Sequence, residues 1–104
     1  MNGIYNMSIS VNFLLQATRV LHVGNYDEDE LEMIFNFMTT LDNEILNEYN
    51  NTCTILSYNN DLELYVEIIE ALILIFEERE EYEKCETLKN KKDDSLIIME
   101  TKTI

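Results

Sequence analysis

The chain contains no proline and only two glycines, Gly3 and Gly24. An all-β sandwich or barrel needs a turn signal roughly every 8–12 residues. That class is therefore excluded in favour of a few helices joined by short polar loops. Basic residues are also scarce: seven Lys and Arg stand against 21 Asp and Glu, a formal net charge of −14. Polyanions are held by Lys/Arg patches, so direct nucleic-acid binding is not expected. One histidine, His22, and two cysteines, Cys53 and Cys85, offer no Cys-x-x-Cys pair and no metal-ligand set. Two cysteines fit a reducing cytoplasm better than a disulfide framework, so a cytoplasmic location is expected. The longest apolar run, Ala71 to Phe76, is six residues. A bilayer span needs about 18–20. Residues Met1 to Ser10 hold no Lys or Arg and no long apolar centre, unlike a signal peptide. Met7 could serve as an alternative start, which would leave Met1–Asn6 as a loose extension.

Catalytic chemistry is equally thin. No Gly-rich phosphate loop is present. The acidic run Asp27 to Glu32 lacks the length and central glycine of a calcium loop. Cys85 lies between Glu83 and Glu86, which disfavour a thiolate. Carboxylates are abundant, but abundance without an apolar enclosure does not make an acid–base pair. The expectation is a non-enzymatic chain with no cofactor and no metal.

What remains is an apolar fraction of 46 % in 104 residues, enough for one core. A chain of this size buries about 60–65 % of its unfolded surface, so its fold is marginal or partner-assisted. Twelve Asn and twelve Ile against two Ala and two Arg reflect A/T-rich codons of a low-GC source such as many phages. Hydrophobic spacing predicts an all-α bundle of three to four helices, over about 8–23, 27–50, 60–77 and 82–92, with a short extended C-terminal tail. In the first, Ile9, Phe13, Leu14, Ala17, Val20 and Leu21 recur at helical spacing and Gly24 supplies the stop, although Val20, His22 and Val23 also suit a strand. In the second, Asp27 and Glu30 have capping-box spacing ahead of the stripe Leu31, Ile34, Phe35, Met38, Leu41, Ile45, Tyr49. Residues 52–58 read as a loop, with or without a short extended piece.

The third helix is predicted to start at Asn60, capped with Glu63, and to bury Leu62, Tyr65, Val66, Ile69, Leu72, Ile73 and Phe76. Ile68, Leu74 and Ile75 widen its apolar surface. Tyr82, Cys85 and Leu88 then fall out of that arc. This predicts a turn near Glu78–Glu81, where Glu77, Glu78, Glu80 and Glu81 repel one another. Residues 1–94 form one acidic helical domain, and 95–104 form a tail that is docked or free.

Charge is the informative feature. Up to residue 83, seventeen carboxylates face only Arg19 and Arg79; beyond it, five Lys face four carboxylates. Glu63, Glu67 and Glu70 follow i, i+4, i+7 spacing on one side of the third helix, about 5–6 Å from neighbour to neighbour, with Glu77 and Glu81 further along the same side. That interval is comparable to phosphates along a strand. Asp27, Glu28, Asp29 and Glu32 form a second cluster. Acids at a helix start also satisfy the macrodipole and aid solubility. Yet self-repulsion across the whole chain lowers stability, which favours a basic partner as its reason.

The segment Glu78-Arg-Glu-Glu-Tyr-Glu-Lys-Cys-Glu-Thr-Leu88 resembles the second half of helical hairpins of the UVR and tetratricopeptide kind. That resemblance implies inward packing of Tyr82, Cys85 and Leu88 and a protein-contact role. In size, charge and codon bias the chain also resembles small acidic phage anti-defence proteins of the anti-CRISPR and anti-restriction type. This implies an inhibitor that uses carboxylates to occupy a basic surface of a nucleic-acid-handling protein or ribonucleoprotein, such as a CRISPR effector. The alternative is a helical adaptor or assembly subunit, a homodimer among its forms, acting through an apolar interface that includes Leu96–Met99.

Overall fold

Local capping signals set most of the helix ends. The structure, a computed structural model, describes residues 2–102, with side chains from 11 to 100. Within them five helices follow in order: α1 (Asn2–Val23), α2 (Glu28–Thr40), α3 (Asn43–Asn50), α4 (Asp61–Glu78) and α5 (Tyr82–Lys102). Helix α1 ends at Gly24, whose φ of +77° is left-handed and whose N–H donates to the Val20 carbonyl at 3.0 Å. The helix expected from residue 8 starts at Asn2, so residues 2–6 belong to α1. His22 and Val23, which also suited a strand, are helical. Ahead of α2, Asp27 Oδ1 accepts from the Glu30 N–H at 2.8 Å, and Glu30 Oε1 accepts from the Asp27 N–H at 3.3 Å. This is the capping box expected from the sequence.

The single helix expected over 27–50 is instead two. Leu41 and Asp42 are extended, and Asp42 Oδ1 caps α3 by accepting from the Ile45 N–H at 3.1 Å. The Thr39 and Thr40 hydroxyls bond back to the carbonyls of Phe35 and Phe37 at 2.9 and 3.1 Å, a habit that weakens a helix end. Lys91 Nζ, from α5, donates to the Leu41 carbonyl at 2.6 Å and satisfies it at the break. Leu31, Ile34, Met38, Leu41 and Tyr49 are buried on both sides of it. The apolar stripe therefore runs through a bend that only capping and a distant lysine reveal.

Helix α4 is the spine of the bundle and touches each of the other four helices. Leu62, Leu64, Tyr65, Ile68, Ile69, Leu72, Ile73 and Phe76 are buried along it, whereas Leu74, expected to widen the apolar surface, is exposed. It ends in a Schellman motif. The Glu80 N–H donates to Glu77 O at 3.0 Å, the Glu81 N–H to Phe76 O at 2.9 Å, and Glu80 takes the left-handed position at φ +60°. The chain reverses there, and α5 runs back antiparallel to α4. Cys85 and Leu88 are buried, as the change of phase predicts. Tyr82 is 64 % exposed, which corrects the inward role implied by the hairpin resemblance.

Helix α5 does not stop near Lys92, and residues 95–102 are not an extended tail. Positions 85, 88, 92, 95 and 99 fall on one helical side. Ser95 is buried there, with its hydroxyl donating to Lys91 O at 2.9 Å, and Ile98 and Met99 pack against the core. Asn50 Nδ2 donates to Ile98 O at 3.4 Å, tying the end of α3 to α5.

Candidate functional site

The eight carboxylates singled out in the sequence fall into two places. Asp27, Glu28, Asp29 and Glu32 open α2, and α2 runs so that this end meets the α4–α5 turn. Two cations make the junction. Arg79 Nη1 lies 2.7 Å from Glu28 Oε2; Lys84 Nζ lies 3.0 Å from Glu32 Oε2 and 3.1 Å from Glu81 Oε1. Lys84 also sits over the Phe35 and Phe76 rings, 5.5 and 5.0 Å from their centroids. The hydrogen bond from Arg79 holds the Glu28 carboxyl below its ordinary range, and the bonds to Glu32 and Glu81 raise the Lys84 ammonium above its own.

Around this junction Asp29, Glu78, Glu80 and Glu83 are exposed and make no ion pair among the described residues. The result is an acidic pole, built from the first turn of α2 and the α4–α5 turn. In the sequence Glu78, Glu80 and Glu81 stand out as a source of helix repulsion, Glu81 also as the end of the acidic side of α4, and Glu83 only as a neighbour of Cys85. Nothing local shows that the start of α2 lies against them.

The second set lies on the exposed side of α4, away from α2. That helix is instead reached from α4's buried side, where Tyr65 Oη donates to Met38 O at 2.6 Å. Glu63 is drawn into local structure. Its carboxylate accepts from the Asn59 N–H and Nδ2 at 2.9 and 3.0 Å, while its own N–H donates to the cap Asn60 Oδ1 at 3.0 Å. The expected capping pair is thus present but shifted one residue upstream on the return bond. Glu67 accepts a short hydrogen bond from Tyr58 Oη, which raises the Tyr58 phenol above its ordinary range. Glu70 and Glu77 are ion-paired to Lys92 and Lys89 of α5 at 3.0 and 3.6 Å. The near-neutral C-terminal stretch of the chain therefore folds back over the acidic helix.

One carboxylate that the sequence reading did not single out is the most enclosed. Asp61, in the first turn of α4, is 1 % exposed. It accepts from the Thr52 hydroxyl at 2.6 Å, the Thr54 N–H at 2.8 Å and the Thr54 hydroxyl at 2.9 Å, and its own N–H donates to Thr52 O at 2.9 Å. These bonds close the 51–60 loop on the helix. Its signal was a Thr-x-Thr ahead of an Asn-Asp cap. Burial raises the Cys85 thiol above its ordinary range, in keeping with a packing role.

No family model, curated protein or solved structure matches this chain. Among the described residues no three His, Cys, Asp or Glu side chains are grouped to hold a metal ion. No described helix is long and apolar enough to cross a membrane.

Proposed function

We propose that this chain is a non-enzymatic inhibitor, phage- or mobile-element-encoded, that docks its acidic pole on a basic surface of a nucleic-acid-handling protein such as a CRISPR effector. One observation carries the reading. The cations at the pole, Arg79 and Lys84, are each engaged by carboxylates of the same chain, while Asp29, Glu78, Glu80 and Glu83 project without a cation partner among the described residues. Glu78 in particular occupies the last turn of α4, where the helix macrodipole disfavours an anion. Solubility alone asks for charge somewhere on the surface, not for charge at the position that weakens the helix. A cationic receptor does ask for it. The exposed Tyr82 ring beside the pole supplies an amphipathic anchor of the kind interfaces favour. Glu63 and Glu67 extend the negative surface along α4, whereas Glu70 and Glu77 are held by Lys92 and Lys89.

The test is capture of binding proteins from the cell of origin on the immobilised chain, in parallel with a Glu78→Lys/Glu80→Lys/Glu83→Lys variant. The reading expects a basic nucleic-acid-handling protein, released by salt and displaced by nucleic acid, that the variant fails to retain. Retention of the same protein by both chains, or displacement only by detergent, contradicts it.

A further inference from the structure

Leu74 lies in the middle of the acidic exposed side of α4 and is 67 % exposed. It lines an open groove of about 510 Å³ between α4 and α5, together with Ile73 and Leu96, the latter 41 % exposed. The charges along this groove are unlike those of the rest of the molecule. Glu70 and Glu77 of α4 alternate with Lys92 and Lys89 of α5, and only Asp93 is in excess. In a chain with net charge −14, this is where like-charge repulsion between two copies is weakest.

We infer that this groove is a self-association surface that takes a second copy of the chain. The pattern is self-complementary. A two-fold axis parallel to the antiparallel α4 and α5 lays each α4 over the partner's α5. Because Lys92 pairs with Glu70 and Lys89 with Glu77 at matching heights, the same operation brings Glu70 opposite the partner's Lys92 and Glu77 opposite the partner's Lys89. That is what an isologous interface requires. Leu74 and Leu96 become the apolar centre, the ion pairs its rim. The inference does not rest on the acidic pole; the same axis sets the two copies' poles at one end of the dimer, outside the groove.

Sedimentation velocity across micromolar to millimolar protein tests it, with circular dichroism confirming that each chain is folded. The wild type is expected to form dimers, more so as salt screens the net charge. Leu74→Glu and Leu96→Glu are each expected to weaken association by about tenfold or more, as for a central apolar anchor. The charge-swapped chains Glu70→Lys/Glu77→Lys and Lys89→Glu/Lys92→Glu are each expected to be monomeric alone and to form a heterodimer when mixed. A wild type that stays monomeric at every concentration and salt, leaving the groove to some other chain, overturns the proposal. So does dimerisation indifferent to Leu74→Glu and Leu96→Glu, or a mixture of swapped chains that does not associate.

Discussion

Asp61 shows how one side chain can organise a segment that has no regular structure of its own. Its carboxylate gathers three donors from Thr52 and Thr54, and its position at the start of α4 adds the helix macrodipole. Hydrogen bonds to a charged group are among the stronger ones, and the threonine hydroxyls can partly turn to water when it is removed. Asp61→Ala is therefore expected to lower stability by about 2–4 kcal/mol in denaturant titration. A loss below the range of one ordinary hydrogen bond would show that the loop does not depend on it. Tyr65 gives a pH signature. Burial raises its phenol well above the ordinary value of 10.0, so the folded chain keeps the proton after the unfolded chain has released it. Its contribution is complete below pH 10 and declines as pH climbs above that value. Tyr65→Phe is expected to be about 1 kcal/mol less stable at neutral pH, through loss of the bond to Met38 O. It is also expected to show a shallower fall in alkali, read as denaturation midpoint against pH.

At the scale of elements, helix existence was written in the apolar spacing and helix ends in the capping residues. Gly24, Asp27 with Glu30, and Asn60 each act where their chemistry places them. The change of phase at Tyr82 correctly separates α4 from α5, because burial of Cys85 and Leu88 needs a new axis. Two features lay beyond local reading. The bend at Leu41–Asp42 is stabilised by Lys91, fifty residues away, so a continuous apolar stripe conceals it. The run through Asp93-Asp94-Ser95 looks like a helix end, yet Ser95 bonds back to Lys91 O and packs inward, and α5 continues. The Schellman motif offers a direct test. Glu80 occupies a left-handed position that glycine adopts without steric penalty. Glu80→Gly is expected to raise stability by about 0.5–1 kcal/mol, seen as a higher midpoint of thermal unfolding. A lower midpoint would show that the side chain does more in the folded state than its strain takes away.

For the molecule as a whole, charge was legible in amount but not in arrangement. The sequence put two acidic clusters on two helices; folding sets one against the α4–α5 turn and covers part of the other with the lysines of α5. Five ion pairs formed by Arg79, Lys84, Lys89 and Lys92 are largely exposed, and such pairs contribute little to stability. Repulsion among the remaining carboxylates acts over the whole surface, so added sodium chloride is expected to raise the thermal midpoint. A midpoint that falls with salt would mean the ion pairs dominate. The most direct test of the acidic pole is the salt dependence of affinity for the captured basic partner, by titration calorimetry. Wild type is expected to lose affinity steeply as salt rises. Glu78→Lys/Glu80→Lys/Glu83→Lys is expected to bind far more weakly, with a flatter dependence. Equal affinity and equal slope for the two chains would contradict the account.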